Sequence, residues 1–80
     1  MNRNEILDRL QPIFQDLFDN PDLVVTEASS ALDIPDWDSL AQVNLVLGAE
    51  REFNVRFDSD RINDLANVGE LISEIQTLAS

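Results

Sequence analysis

The residues with the most chemical potential lie in DIPDWDSLAQV, residues 33–43, where Asp33, Asp36, Asp38 and the only tryptophan, Trp37, lead up to Ser39. A serine hydroxyl can attack a substrate, carry a covalent group or cap a helix. Attack requires a neighbouring base. The chain has no histidine, cysteine, tyrosine or lysine. The usual base at neutral pH, the thiolate nucleophile, the Schiff-base amine and most zinc ligands are therefore missing. Asp36 and Asp38 could form an acid–base pair on paper, but nothing in so small a chain implies a cleft around them. The sequence does not read as an enzyme. The plain role for Ser39 is a helix cap: Ser39 and Gln42 fit the S-x-x-Q capping box, with Asp38 adding charge at the helix start. As a cap, its loss to alanine is expected to cost about 0.5–2 kcal/mol.

Two other chemistries fail on spacing. DSDRIND, residues 58–64, alternates carboxylates like a calcium loop, but position 5 is Ile62, position 6 is Asn63 rather than glycine, and position 12 is Gly69 rather than glutamate. No glycine-rich phosphate loop exists, since the only glycines are Gly48 and Gly69.

Charge bounds the partners. Five arginines against sixteen acidic residues give a net charge of −11. That surface repels phosphate backbones and anionic lipids, so neither nucleic acid nor a membrane is expected as a partner. A partner with a basic patch is favoured and its encounter speeded. No basic residue occurs between Arg9 and Arg51, and the acids of that gap run up to Ser39. No apolar run has transmembrane length and the N-terminus is too polar for a secretory signal. A cytoplasmic protein is expected.

The elements that must position Ser39 follow from apolar spacing. The chain has the length of one domain, residues 1–80, with a modest core and no cysteine staple. Ile6, Leu10, Ile13, Phe14 and Leu17 recur at helical spacing, predicting a helix over about 4–18 with Asn4 as its cap and a local disturbance at Pro12. Residues 20–37 read as a long loop tacked to the core by its own apolar residues. A second helix should run from Ser39 to about Glu52. It carries two apolar stripes, Leu45, Val46, Ala49 and Phe53 on one face and Leu40, Val43 and Leu47 on another. Either one stripe is core and the other a docking surface, or the whole helix is buried. FNVRF, 53–57, is an extended link. One short helical turn with Ile62 and Leu65 follows, then a last helix capped by Asn67 and buried through Val68, Leu71, Ile72, Ile75 and Leu78. The fold class is all-α: three main helices and one short one, with a long first connection.

The Asp38-Ser39-Leu40 tripeptide opening the second helix, the run DSLAQVNLVLGAEREFNVRF and the last-helix segment NVGELISEI together resemble the acyl carrier protein family over nearly the whole chain. The resemblance implies a small helical bundle and a non-enzymatic role. Ser39 would hold a 4′-phosphopantetheine arm, installed from coenzyme A by a phosphopantetheinyl transferase, whose thiol carries acyl groups as thioesters. A helix start suits the phosphate. Asp38 would help the transferase and its magnesium position the serine. Leu40, Val43, Leu47 and Glu50 would meet partner enzymes through their basic docking patches, and Ile62 and Leu65 would help close a cavity for the cargo. Carriers of this kind are usually monomers.

Departures bear on the pathway. Housekeeping fatty-acid carriers usually read Gly-x-Asp-Ser-Leu, whereas Asp36 and Trp37 stand at the first two places here. Ala41, Asn44 and Arg51 occupy positions of the second helix where acid is often found, and Arg56 and Arg61 continue the change. The Trp-Asp-Ser-Leu form looks more like discrete carriers of polyketide, modified-lipid or surface-glycan synthesis. An aminoacyl or peptidyl carrier, or an unmodified acidic interaction module, remains an alternative reading of the residues.

Overall fold

The computed structural model describes residues 1–62 and 64–79; Asn63, the sixth position of the rejected calcium loop, and Ser80 lie outside them. Among the described residues four helices occur in chain order: α1 Arg3–Leu17, α2 Ser39–Phe53, α3 Ser59–Ile62 and α4 Val68–Ala79. The expected architecture of three main helices, one short one and a long first connection is what forms. α1 packs on both α2 and α4, and α3 packs on α2.

The cap of α1 lies two residues earlier than expected. Asn2, not Asn4, is the cap: its side chain accepts from Glu5 N at 2.8 Å and donates to Glu5 Oε1 at 3.1 Å. This reciprocal pair satisfies one of the helix's orphan donors and places Arg3 in the first turn. Arg3 then binds Glu27 of the long loop, Gly69 O, and the side chains of Ser73 and Gln76 on α4. Pro12 sits inside α1 without ending it and is exposed, so its missing donor falls on the solvent side.

The long loop is pinned rather than free. Gln11 of α1 pairs with Val25 as a strand neighbour would, accepting from Val25 N at 2.9 Å and donating to Val25 O at 2.7 Å. Gln15 donates to Leu23 O at 2.9 Å. Val25 and Ile34 are buried, while Val24 and Leu32 point out. At its middle the loop docks on the start of α4, where Val68 N donates to Ser29 O and Gly69 N to Glu27 O, beside an antiparallel bridge between Ser30 and Asn67. Gly69 eases that close approach, because a Cβ would lie a tight 3.0 Å from the Glu27 carbonyl oxygen. Asn67 caps α4 as expected, accepting from Glu70 N at 2.8 Å.

The core joins Ile6, Leu10 and Phe14 of α1, Leu45, Val46 and Ala49 of α2, and Val68, Leu71, Ile72 and Ile75 of α4. Leu78, expected on the buried face of α4, is instead exposed in the last turn of that helix. Gly48 lets α1 and α2 approach, since a Cβ there would sit 3.1 Å from Ile13 Cγ2. Among the described residues no helix is long and apolar enough to cross a membrane.

Candidate functional site

α2 starts at Ser39 as expected, but its cap lies one residue earlier. Asp38 takes the cap position in extended conformation (φ −108°, ψ −170°), its Oδ1 accepting from Ala41 N at 2.8 Å and its carbonyl from Gln42 N at 2.9 Å. Ser39 is therefore the first residue inside the helix, and the expected S-x-x-Q capping box does not form. A carboxylate accepts more strongly than a hydroxyl, which favours Asp38 for the role. The consequence is chemical: the Ser39 hydroxyl lies exposed and outside the capping hydrogen bonds.

Gln42, the other half of the expected box, is engaged elsewhere. Its Oε1 accepts from the Trp37 indole Nε1 at 2.7 Å and its Nε2 donates to Ile62 O of α3 at 2.9 Å. Trp37 is 8% exposed and packs edge-on against Phe14, ring centroids 5.4 Å apart. The backbone leading to Ser39 is thus anchored on both α1 and α3. The lone tryptophan was visible in the sequence, but its contacts to Phe14 and Gln42 were not.

The serine borders a cleft of about 360 Å³ lined by Trp37, Asp38, Gln42, Leu65 and Ala66. Leu65, expected to help close a cargo cavity, lines this cleft with Ser39. Ile62 instead lines a separate cleft at the far end of α2 and touches this one only through its carbonyl bond to Gln42. On the other side of Asp38 a hollow of about 290 Å³ is walled by Phe18, Asp36, Leu40 and Asn44.

The two stripes of α2 separate cleanly. Leu45, Val46, Ala49 and Phe53 are buried. Leu40, Val43 and Leu47 are 70%, 45% and 48% exposed. They form an exposed apolar row along the outer face of α2. Glu50, expected beside that row, is half-buried, and its Oε2 accepts from Phe57 N at 2.7 Å. It fastens the 54–57 link to α2.

A phosphodiester on Ser39 needs an accessible hydroxyl with no structural duty and unspent donors nearby. Both are present: the Ser39 and Leu40 amides, at the first helical positions, have no acceptor within the helix. The residues fit such a group. A four-helix bundle, a serine relieved of capping at a helix start and an adjoining exposed apolar row are the features a carrier domain calls for.

No family model matches the chain. Individual relatives do. It is 35% identical over 75 residues to the acyl carrier protein of Thermobifida fusca, covering 94% of this chain and 95% of that one. To the acyl carrier protein of Thermosynechococcus vestitus it is 37% identical, covering 94% and 93%. The solution structure of holo acyl carrier protein from Geobacter metallireducens superposes with a TM-score of 0.82 at 37% identity, over 91% of this chain and 84% of that one. The chain belongs to the acyl carrier protein family. It is a carrier rather than an enzyme, and its prosthetic group is covalent 4′-phosphopantetheine. Family membership brings a phosphopantetheinyl transferase and acyl-handling enzymes as partners.

Proposed function

We propose that Ser39 is the attachment point of the phosphopantetheine, that residues 1–80 form one carrier domain, and that this monomeric, cytoplasmic carrier serves a specialised acyl pathway. The carrying observation is the division of labour at the start of α2. Asp38 caps the helix, which leaves the Ser39 hydroxyl exposed for modification. The group supplies the thiol that the chain lacks, so that acyl cargo is held as a thioester.

The remaining residues position and present it. Asp38 keeps its second carboxylate oxygen for the transferase and its magnesium. Leu40, Val43 and Leu47 form the apolar row on which partners dock, with the half-buried Glu50 at its edge contributing charge through the oxygen not held by Phe57. Trp37 and Gln42 stiffen the approach to the serine.

Support for a specialised pathway is local. Asp36 and Trp37 replace the Gly-x of housekeeping carriers, and the tryptophan is built into the core. Exposed Asn44, Arg51 and Arg56 stand where a housekeeping partner would look for acid. The test is turnover of the loaded carrier by a reconstituted housekeeping fatty-acid elongation system, beside a housekeeping carrier. At least tenfold poorer kcat/KM is expected, with KM carrying most of the change. Equal turnover would overturn the specialised assignment.

A further inference from the structure

The exposed row on α2 does not end in solvent-facing acid. Arg51 follows Leu47 by four residues, one helical turn, and so stands in line with the row. Arg56 joins it from the link that follows: Leu47, Arg51, Val55, Arg56 and Ile62 together line a cleft of about 580 Å³ at this end of the helix. Both arginines are exposed. Among the described residues the ion pairs are Arg3–Glu27, Arg9–Glu52 and Arg61–Glu74, so neither Arg51 nor Arg56 meets a carboxylate. Glu50 also lines this cleft; one of its oxygens accepts from Phe57 N, and it pairs with neither arginine, so the two cations outweigh it there.

Unpaired cations beside an apolar row need explaining in a chain of net charge −11. Arg51 lies in the last turn of α2, where a cation complements the helix dipole. That accounts for Arg51 alone, since Arg56 lies beyond the helix. The opposite end of the row carries exposed Asp36 and Asp38. The surface is thus polarised along its length: acidic at Ser39, apolar through Leu40, Val43 and Leu47, and basic about 18 Å further along the axis, from the rise of 1.5 Å per residue.

We propose that the basic end of α2 docks a partner enzyme whose apolar ridge terminates in a cluster of carboxylates, opposite Arg51 and Arg56. The inference rests on the reading of Leu40, Val43 and Leu47 as the docking row. Complementary charge at both ends fixes one direction of approach, and a uniformly basic docking patch meets repulsion at Arg51 and Arg56. The two ends act as an orientation key for the delivery of Ser39.

The test uses two synthetic amphipathic helical peptides with the same leucine ridge, one ending in a glutamate cluster and the other in a lysine cluster. Each is titrated by NMR into isotope-labelled carrier after treatment with transferase and coenzyme A. The glutamate-ended peptide is expected to shift the amides of Leu47, Arg51, Val55 and Arg56. Its affinity should fall about tenfold in the R51E/R56E double variant and weaken as salt rises. R51Q/R56Q should fall between, and unchanged spectra of the core amides show that both variants fold. Equal binding of the glutamate-ended peptide to the wild-type and R51E/R56E proteins overturns the proposal. If only the lysine-ended peptide engages the row, the docking reading stands and the proposal fails. If neither peptide shifts Leu40, Val43 or Leu47, both fail. Concentration-dependent shifts of the row in the protein alone would assign it to a second copy of the chain and overturn the proposal.

Discussion

The Trp37 indole donates to Gln42 Oε1 at 2.7 Å, and Gln42 passes the connection to α3 by donating to Ile62 O at 2.9 Å. One amide side chain thus joins the approach to Ser39, the body of α2 and the short helix. Its geometry uses both functions of the amide, the oxygen as acceptor and the nitrogen as donor.

Gln42→Leu should therefore cost more than a surface substitution. It leaves the nearly buried indole N–H and the Ile62 carbonyl without this partner, worth about 1–3 kcal/mol. Urea unfolding measures the loss. The fluorescence of the single tryptophan should change in the folded variant, because the hydrogen bond at Nε1 is gone. A loss below about 0.5 kcal/mol with unchanged emission would mean that the bridge contributes nothing.

Asp38 and Ser39 should exchange the roles that their types suggest. Asp38→Ala removes the cap and should cost about 0.5–2 kcal/mol. Ser39→Ala removes no capping bond and should stay within about 0.5 kcal/mol of the parent protein. Asp38→Asn retains a capping oxygen and should keep most of the stability. Denaturant midpoints of the three variants check the assignment; a costly Ser39→Ala beside a neutral Asp38→Ala would reverse it.

That exchange marks how far the sequence could be read. Helical spacing was sufficient for α1, α2 and α4, because a buried stripe on a helix repeats whatever it packs against. It could not choose between Asp38 and Ser39, since adjacent residues both have capping chemistry and only the local backbone decides. Asn2 displaced Asn4 for the same reason. The long loop was legible as pinned, but its fasteners were not: Gln11 and Gln15 are polar residues on α1 whose partners Val25 and Leu23 lie eight to fourteen residues away. Glu50 was legible as an acid of α2, whereas its bond to Phe57 N depends on the left-handed turn at Asn54.

The exposed row and the core row of α2 should respond oppositely. Leu40→Asp and Val43→Asp place charge in solvent and should change stability by about 0.5 kcal/mol or less. Leu45→Ala, at a side chain 1% exposed, should cost about 2–5 kcal/mol. Partner turnover should drop for the first pair in a folded protein. Unfolding of both aspartate variants would make the outer row part of the core.

Acid should loosen the contact of α1 with the long loop. The hydrogen bond from Arg3 holds the Glu27 carboxyl below the ordinary glutamate range. A carboxyl lowered in the folded state contributes stability that is complete above its unfolded value and is lost as pH falls through its folded value. Glu27→Gln should therefore destabilise the protein near neutrality and converge with the parent protein in acid below the ordinary glutamate range. Thermal melts across pH measure the gap, which high salt should narrow because the pair is partly exposed. A gap that persists unchanged at low pH would assign the effect to packing rather than charge.

The most direct test of the central claim is to locate the phosphopantetheine. The protein and its Ser39→Ala variant are treated with coenzyme A, magnesium and a broad-specificity transferase, weighed intact, digested with trypsin and fragmented. The fragment between Arg9 and Arg51 contains Ser29, Ser30 and Ser39, and its fragment ions separate these serines. One phosphopantetheine on Ser39, absent from the folded variant, is the predicted result. The same mass gain in Ser39→Ala, or a modification mapping to Ser29 or Ser30, would contradict it.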